Sequence, residues 1–263
     1  MTDIKLNPLN TNQRRLLQMG AALLLVVFLT ILFITSRKSQ NITLKNNTVY
    51  LQDAKLYLFD EVIPINQYPD RIAFHYPYLI VVKPEQQKSS VYNLATKVKE
   101  SEIKQVVLDY FNGDSLYNVG NGTFFNKQDL KVLCEKGFIK SSSEILCITK
   151  INKNNVENKL VSIDVNTKKS KDIYTSKELL TNVSVINNNT YLGKIDLYTN
   201  KSSIVVNKDS SEVPDVVSLI YEMNGKPYFA SYKSTFNGQK ENYYLVGSGK
   251  TEKQEDGKII LLK

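Results

Sequence analysis

Residues 216–232 read Val216-Val-Ser-Leu-Ile-Tyr-Glu-Met-Asn-Gly-Lys-Pro-Tyr-Phe-Ala-Ser-Tyr232, and the expected architecture of the chain follows from them. Two runs rich in Val, Ile, Tyr and Phe flank the dipeptide Asn224-Gly225. β-Branched and aromatic residues favour the half-buried surface of a pleated strand. Asn and Gly both tolerate the positive φ that a type I′ turn requires. The stretch therefore predicts two antiparallel strands joined by a tight turn.

The same pattern recurs along most of the chain. Asn-Gly dipeptides also occur at Asn112-Gly113, Asn121-Gly122 and Asn237-Gly238. Apolar runs of strand length occur throughout this part of the sequence: Val49–Leu51, Tyr78–Val82, Leu160–Ile163, Val183–Ile186, Ser203–Val206, Tyr243–Val246 and Ile259–Leu262. We therefore predict an all-β, hairpin-rich domain over residues 49–263.

One segment fits two kinds of element. Residues 101–113 place apolar side chains at helical spacing, with Ser101 as a candidate N-cap and Gly113 after the end. The same residues also suit a strand from Gln105 to Phe111 that leads into an Asn-Gly turn. We favour the strand.

A short motif occurs three times in the domain. Val91-Tyr-Asn93-Leu-Ala-Thr96-Lys97 is followed by Ser162-Ile-Asp164-Val-Asn-Thr167-Lys168 and by Lys194-Ile-Asp196-Leu-Tyr-Thr199-Asn-Lys201. Asp and Asn side chains can cap the backbone of the turn that follows them. The spacings of 71 and 32 residues between the Asp or Asn positions are close to two units and one unit of a repeat.

These segments resemble the Asp-x-x-Thr-x-Lys hairpin of bacterial β-propeller repeats of the quinoprotein-like and surface-layer kinds. The resemblance implies a β-propeller. Periods of about 40 residues with several short strands are typical of propeller blades, so residues 49–263 would make about five blades. A β-sandwich of one or two domains is the alternative.

Residues 16–36 form an uncharged, mainly apolar run between Arg14-Arg15 and Arg37-Lys38. About 20 apolar residues in a helix span the core of a bilayer, so we predict a transmembrane helix here with membrane lipid as its partner. A cleaved signal peptide has a shorter apolar region and a small-residue cleavage site, and a buried core helix has a polar face. Both readings fit less well. The expected order is a cytoplasmic tail (1–15), the helix (16–36), a linker (37–48) and the β domain (49–263).

The charges flanking the helix do not decide its orientation. Lys5, Arg14 and Arg15 on one side balance Arg37, Lys38 and Lys45 on the other. A short tail usually stays in the cytoplasm while the long domain crosses. We therefore expect a single-pass protein of the cell membrane with its C-terminal domain outside the cytoplasm. A cytoplasmic domain anchored from inside is the third and weaker possibility.

Charge and cysteine content indicate which partners and which compartment to expect. The chain has 34 Lys and Arg against 26 Asp and Glu, but the lysines are scattered and form no stripe, so we expect no nucleic-acid partner.

Cys134 and Cys147 sit symmetrically about Lys140-Ser141. If this stretch folds as one hairpin, the cysteines could face each other and form a disulfide in an oxidising compartment. Two buried free thiols are the alternative.

Three features of the sequence resemble parts of known catalytic or binding sites but lack the rest of the site. Val246-Gly-Ser-Gly-Lys-Thr251 resembles the end of a phosphate-binding loop but lacks its first glycine, because Tyr244 stands there, and no helix is expected to follow. Ser101-Glu-Ile-Lys104 matches Ser-x-x-Lys without its partner motifs. His75, the only histidine, lies in an aromatic run and is expected to be a packed neighbour of that run. We therefore assign no catalytic, cofactor-binding or metal-binding residue and expect no cofactor.

Sixteen tyrosines are spread through the sequence. Two clusters, around Tyr76 and around Tyr228, could line a recognition face, because Tyr is enriched at binding surfaces. We favour a role in the sheet cores of a chain that has no Trp.

The predicted function is therefore a membrane-anchored, extracytoplasmic binding or scaffolding domain that is not an enzyme. Its expected partner is an envelope protein or a glycan. The alternative is an envelope carbohydrate hydrolase that uses paired carboxylates.

Overall fold

The computed structural model describes residues 49–52, 55–59, 61–64, 72–150, 157–213, 216–232, 244–247, 250–253 and 259–262. The predicted tail (1–15), transmembrane helix (16–36) and linker (37–48) lie outside these residues. Within the described part of the chain, no helix is long and apolar enough to cross a membrane.

The described residues form six four-stranded antiparallel sheets. Five of these sheets are built from four consecutive strands each, and we number them as blades 1 to 5. Blade 1 comprises β4 (Ile72–His75), β5 (Tyr78–Lys83), β6 (Lys88–Asn93) and β7 (Val98–Ile103). Blade 2 comprises β8 (Val106–Phe111), β9 (Asp114–Val119), β10 (Gly122–Phe125) and β11 (Gln128–Asp129). Blade 3 comprises β12 (Lys136–Ser141), β13 (Glu144–Lys150), β14 (Asn158–Asp164) and β15 (Ser170–Ser176).

The remaining strands complete the set. Blade 4 comprises β16 (Leu179–Ile186), β17 (Asn189–Ile195), β18 (Ser202–Val206) and β19 (Asp209–Val213). Blade 5 comprises β20 (Val216–Met223), β21 (Lys226–Tyr232), β22 (Tyr244–Gly247) and β23 (Lys250–Lys253). The sixth sheet joins both ends of the domain, and we call it the closing sheet: β24 (Ile259–Leu262), β1 (Val49–Gln52), β2 (Lys55–Leu58) and β3 (Glu61–Pro64). A short 3-10 turn, Pro84–Gln86, follows β5.

The first strands of the five blades close a ring. Each contacts the first strand of the next blade, in the order β4, β8, β12, β16 and β20, and β20 contacts β4 again. This arrangement is a β-propeller, as the resemblance of the repeated hairpins implied, and not the alternative β-sandwich. The expected number of about five blades is found, with the closing sheet in addition.

The closing sheet packs across the junction between blade 5 and blade 1. One apolar cluster joins Leu56, Leu58 and Leu261 of this sheet to Phe74 of blade 1 and Tyr221 of blade 5. The rings of Phe74 and Tyr221 meet edge to face at a centroid distance of 5.8 Å. Blades 1 and 5 are therefore held together both directly and through the closing sheet.

The hydrophobic core lies in layers between adjacent blades. Separate apolar clusters fill the spaces between blades 1 and 2, 2 and 3, 3 and 4, and 4 and 5. Second strands such as β5 and β13 are buried on both faces, which explains why their sequences read as nearly continuous apolar runs instead of alternating.

The two ends of the propeller differ in their connections. Because each blade is antiparallel, the turns from first to second strand and from third to fourth strand lie at one end, which we call the turn face. The remaining connections lie at the other end, the loop face. On the turn face, Asn112-Gly113 (φ 49° and 91°) and Asn224-Gly225 (φ 53° and 71°) form the predicted hairpin turns. Asn187-Asn188 (φ 50° and 62°) makes the same turn in blade 4 without a glycine.

The prediction for Asn121-Gly122 was wrong by one residue. Gly122 is the first residue of β10 and pairs with Val119, so the turn residues are Gly120, with φ 57°, and Asn121. A glycine stands on either side of Asn121, and the first of them takes the left-handed conformation. Asn237-Gly238 lies outside the described residues. The strand favoured over Gln105–Phe111 is confirmed, since β8 covers Val106–Phe111.

All three repeated segments form turns capped by their Asp or Asn. The Asn93 carboxamide oxygen accepts from the backbone N–H of Thr96 at 3.2 Å, and Asp164 accepts from that of Thr167 at 2.7 Å. These two turns join the third and fourth strands of blades 1 and 3, so their spacing of two units is confirmed. The Asp196 turn joins the second and third strands of blade 4. It is therefore on the loop face, and the expected spacing of one further unit was wrong.

Candidate functional site: the central channel

The ring of first strands surrounds a cavity of about 720 Å³. Ligand pockets in proteins commonly have volumes of about 300–1,000 Å³. The cavity is lined by all five first strands and by parts of three second strands. Its lining is mostly apolar, with Ala73, Val107, Phe138, Leu180 and Val217 among the contributing residues.

The cavity lies toward the loop face. The first strands contribute mainly their opening residues, which are at this end of each blade. The second strands contribute residues near their ends, such as Val82 and Lys150. A ligand of the channel would therefore approach from the loop face.

Asp109 is the buried charge of the channel wall and is only 2% exposed. Its Oδ2 atom lies 2.9 Å from His75 Nδ1 and accepts a hydrogen bond from the backbone N–H of Ile139 at 2.6 Å. The three residues belong to β4, β8 and β12, so this carboxylate joins blades 1, 2 and 3. A buried carboxylate needs such partners, because an unpaired buried charge is costly.

His75 is held between two aromatic rings. Its ring stacks on Phe111 at a centroid distance of 4.2 Å and on Phe138 at 4.1 Å. This packing agrees with the role expected from the aromatic run around His75. The bond to Asp109 was not predicted, although a charged residue between the apolar residues of β8 is a signal for a buried partner.

Glu135 and Lys150 form an ion pair where the channel meets the loop face, with 3.3 Å between Glu135 Oε1 and Lys150 Nζ. Both side chains are about half exposed, so water screens this pair. Asp109 and Glu135 are the two acidic residues among those that line the cavity. The sequence did not single out this pair.

Asn158 lies at the wall near Lys150 and is 1% exposed. Its Nδ2 atom donates to the carbonyl oxygen of Glu178 at 3.2 Å. Its Oδ1 atom is buried and has no hydrogen-bond partner in the part of the chain that the structure describes. Lys194 makes an ion pair with the Glu178 carboxylate just outside this point.

The Ser-x-x-Lys match and the incomplete phosphate-binding loop lie outside the channel. Ser101 is in β7, the outermost strand of blade 1, and Lys104 follows the end of that strand. Tyr244–Gly247 and Lys250–Lys253 are paired antiparallel strands, so a hairpin stands where a phosphate-binding loop would need a helix. Among the described residues, no group of three or more His, Cys, Asp or Glu side chains could hold a metal ion.

Six tyrosines in the described part of the chain are buried in the core, which is the role expected of them: Tyr78, Tyr92, Tyr110, Tyr117, Tyr191 and Tyr221. Burial, with Glu61 nearby, raises the pKa of Tyr92 to about 12. Tyr76 and Tyr198 are the exposed tyrosines among those whose burial the structure describes, and they lie on opposite faces.

Cys134 and Cys147 are joined by a disulfide, with their Cα atoms 5.3 Å apart. They lie in one hairpin region, but not directly opposite each other as we had considered. Gly137 faces Cys147, and Cys134 precedes β12. The reason is that the turn falls at residues 142–143, two residues later than the symmetry of the sequence suggested.

Comparisons with known proteins add only a similarity of fold. No protein-family model matches the chain, and no curated protein matches it. The chain is similar to a structure described as "Crystal structure of Nidogen/Laminin Complex", with a TM-score of 0.47 and 8% identity over 82% of this chain and 98% of the other. It is also similar to Hsv2 of Kluyvelomyces marxianus, with a TM-score of 0.39 and 10% identity over 80% of this chain and 75% of the other. Hsv2 of Kluyveromyces lactis gives a TM-score of 0.36 and 9% identity over 66% and 59%.

Proposed function

We propose that the propeller is a binding or scaffolding domain that is held outside the cytoplasm by a single transmembrane helix at residues 16–36. The observation that carries the proposal is that both carboxylates of the channel already make contacts within the protein. Asp109 is engaged by His75 and Ile139, and Glu135 is engaged by Lys150. A glycosidase needs one carboxyl group as acid and the other as base or nucleophile. Asp109, whose carboxylate is buried and held by contacts within the protein, is better suited to supporting the framework than to this chemistry.

The proposed location is supported by two features of the chain. The uncharged run at residues 16–36 is long enough to span a bilayer. The disulfide between Cys134 and Cys147 is of a kind that persists in oxidising compartments and is rare in the cytosol. The proposed partner is an envelope protein or a glycan.

Site-specific cross-linking in native membranes tests this function. A photoreactive amino acid at Leu197, which is 56% exposed on the loop face, should yield a reproducible cross-linked partner. The same group at Val62, which is 54% exposed in β3 of the closing sheet, provides a matched control. Equal products from both positions, or none from either, would contradict a binding role for the loop face.

A carbohydrate hydrolase is the second candidate, because Asp109 and Glu135 line one cavity. Incubation of the membrane-bound protein with purified envelope glycans should release no product. Glu135→Gln is the diagnostic variant, and Glu178→Gln is its control outside the channel lining. Product that disappears only in Glu135→Gln would replace the binding proposal with the hydrolase.

A further inference from the structure

The described part of the chain contains three Asn-Gly dipeptides, at Asn112, Asn121 and Asn224. Such a dipeptide can modify itself. The glycine backbone nitrogen attacks the Cγ atom of asparagine, the Cγ–Nδ2 bond breaks, and ammonia leaves with the amide proton. Water then opens the resulting succinimide ring to an aspartyl or an isoaspartyl residue. Glycine has no Cβ to shield its nitrogen, so the rate depends on whether the two reacting groups are free to meet.

Two of these dipeptides have similar backbones. Asn112-Gly113 and Asn224-Gly225 each form the two-residue turn between the first and second strands of a blade, with positive φ at both residues. Both asparagines are exposed. The backbone therefore restrains the attack similarly at the two sites, and a difference in rate must come from the side chains. Asn121 differs, because the glycine that follows it belongs to β10 and pairs with Val119.

The side chain of Asn112 is held in place. Its Oδ1 atom accepts a hydrogen bond from the Tyr78 hydroxyl at 3.1 Å. Tyr78 is itself buried, and its ring packs edge to face against Tyr110 at a centroid distance of 5.1 Å. Movement of the Asn112 carboxamide toward the Gly113 nitrogen is therefore opposed by this hydrogen bond.

The side chain of Asn224 is not held in this way. Within the described part of the chain, its carboxamide makes no hydrogen bond. The next residue, Gly225, is fixed through its carbonyl oxygen, which accepts from Asn187 Nδ2 at 2.8 Å. The Asn224 carboxamide can therefore approach a glycine whose position is already fixed.

We propose that Asn224 is a site of spontaneous deamidation and that Tyr78 protects Asn112 from the same reaction. The reaction at Asn224 consumes only water and releases ammonia. An isoaspartyl product carries the main chain through its Cβ and Cγ atoms, which adds a carbon atom before the Gly225 nitrogen. This change displaces the Gly225 carbonyl from Asn187, whose hydrogen bond joins blade 5 to blade 4 on the turn face. The junction between these blades therefore loosens as the protein ages, whatever the domain binds.

Peptide mapping by mass spectrometry tests the proposal on the full-length chain, aged in detergent at mildly alkaline pH. Aspartyl and isoaspartyl products should accumulate about fivefold faster at Asn224 than at Asn112, the factor that corresponds to a hydrogen bond of about 1 kcal/mol. Tyr78→Phe removes the hydroxyl but keeps the ring, and it should raise the rate at Asn112 by a similar factor. Tyr92→Phe is the matched control, because this buried tyrosine of the same blade has its hydroxyl near Glu61 instead. It should leave the rate at Asn112 unchanged.

The comparison of Asn224 with Asn112 in the wild type does not depend on the folding of either variant. Equal rates at the two sites, a faster rate at Asn112, or equal effects of Tyr78→Phe and Tyr92→Phe would overturn the proposal. So would the absence of product at Asn224 over the time in which an unstructured Asn-Gly peptide reacts to completion. Hydrogen exchange of the aged protein should be faster around Asn187 than in fresh protein, and unchanged exchange there would contradict the loosening of the junction.

Discussion

At the scale of single residues, Asp109 is the side chain with the largest expected effect on stability. Asp109→Ala leaves the His75 ring and the Ile139 N–H without their shared acceptor, and Asp109 and Ile139 are each at most 2% exposed. We expect the free energy of unfolding to fall by about 3 kcal/mol, measured by urea denaturation of the full-length chain in detergent. Asp172→Ala, which breaks the exposed ion pair with Lys159, should cost less than about 1 kcal/mol. Similar losses in the two variants would show that the Asp109 contacts are not structural.

The sequence indicated that His75 is packed but could not identify its partner. His75 and Asp109 are 34 residues apart and lie in different blades, so their contact exists only once the ring has formed. For the same reason, the sequence could not show that the two acidic residues of the cavity wall lie near one cavity. Glu135 precedes its strand, and the closure of the ring alone brings it to the same cavity as Asp109.

At the scale of one element, the capped hairpins should respond to acid. Hydrogen bonds from Thr167 hold the pKa of Asp164 below its usual range, and those from Thr199 and Tyr198 do the same for Asp196. A lowered pKa adds stability above the unfolded value of about 3.9, and this contribution is lost as pH falls through the folded pKa. The stability advantage of the wild type over Asp164→Asn/Asp196→Asn should therefore shrink from pH 5 to pH 3. A pH-independent difference would show that the charge of the capping carboxylates does not stabilise these turns.

The disulfide is the second element that can be tested. The protein taken from native membranes and denatured without reductant should have no titratable thiol, since Cys134 and Cys147 are its only cysteines. Reduction should lower the free energy of unfolding by about 3 kcal/mol, the usual value for a loop of this length. Cys134→Ala/Cys147→Ala should be insensitive to reductant. Two free thiols in the native protein would place the domain in a reducing compartment and reverse the proposed orientation.

Local chemistry explains which elements could be predicted. Apolar runs and Asn-Gly turns identified the hairpins, because strand propensity and turn geometry depend on neighbouring residues. The Asn121 turn was displaced by one residue because glycines flank that asparagine on both sides. The Asp196 turn has the same capping pattern as the other two but joins different strands. A capping motif therefore identifies a turn without giving its position within a blade.

At the scale of the whole molecule, β24 of the closing sheet supports the closure of the ring. Leu261 is 1% exposed and packs in the cluster that joins the closing sheet to blades 1 and 5. Leu261→Ala should lower the free energy of unfolding by about 2–5 kcal/mol, as is usual for a buried leucine. Leu197→Ala, at an exposed position, should have little effect. Denaturation of both variants provides the measurement, and equal stability would mean that the closing sheet contributes little to the ring.

The position of β1 within the closing sheet has a mechanical consequence. The strand that follows the proposed anchor is not at an edge, because it is hydrogen-bonded to β24 on one side and to β2 on the other. A pulling force that reached the domain through residues 37–48 would act on the hydrogen bonds to β24 and to β2 at the same time. Neither strand could then separate from β1 alone. Single-molecule stretching from the amino-terminal side should therefore give one high rupture peak, followed by loss of the whole ring.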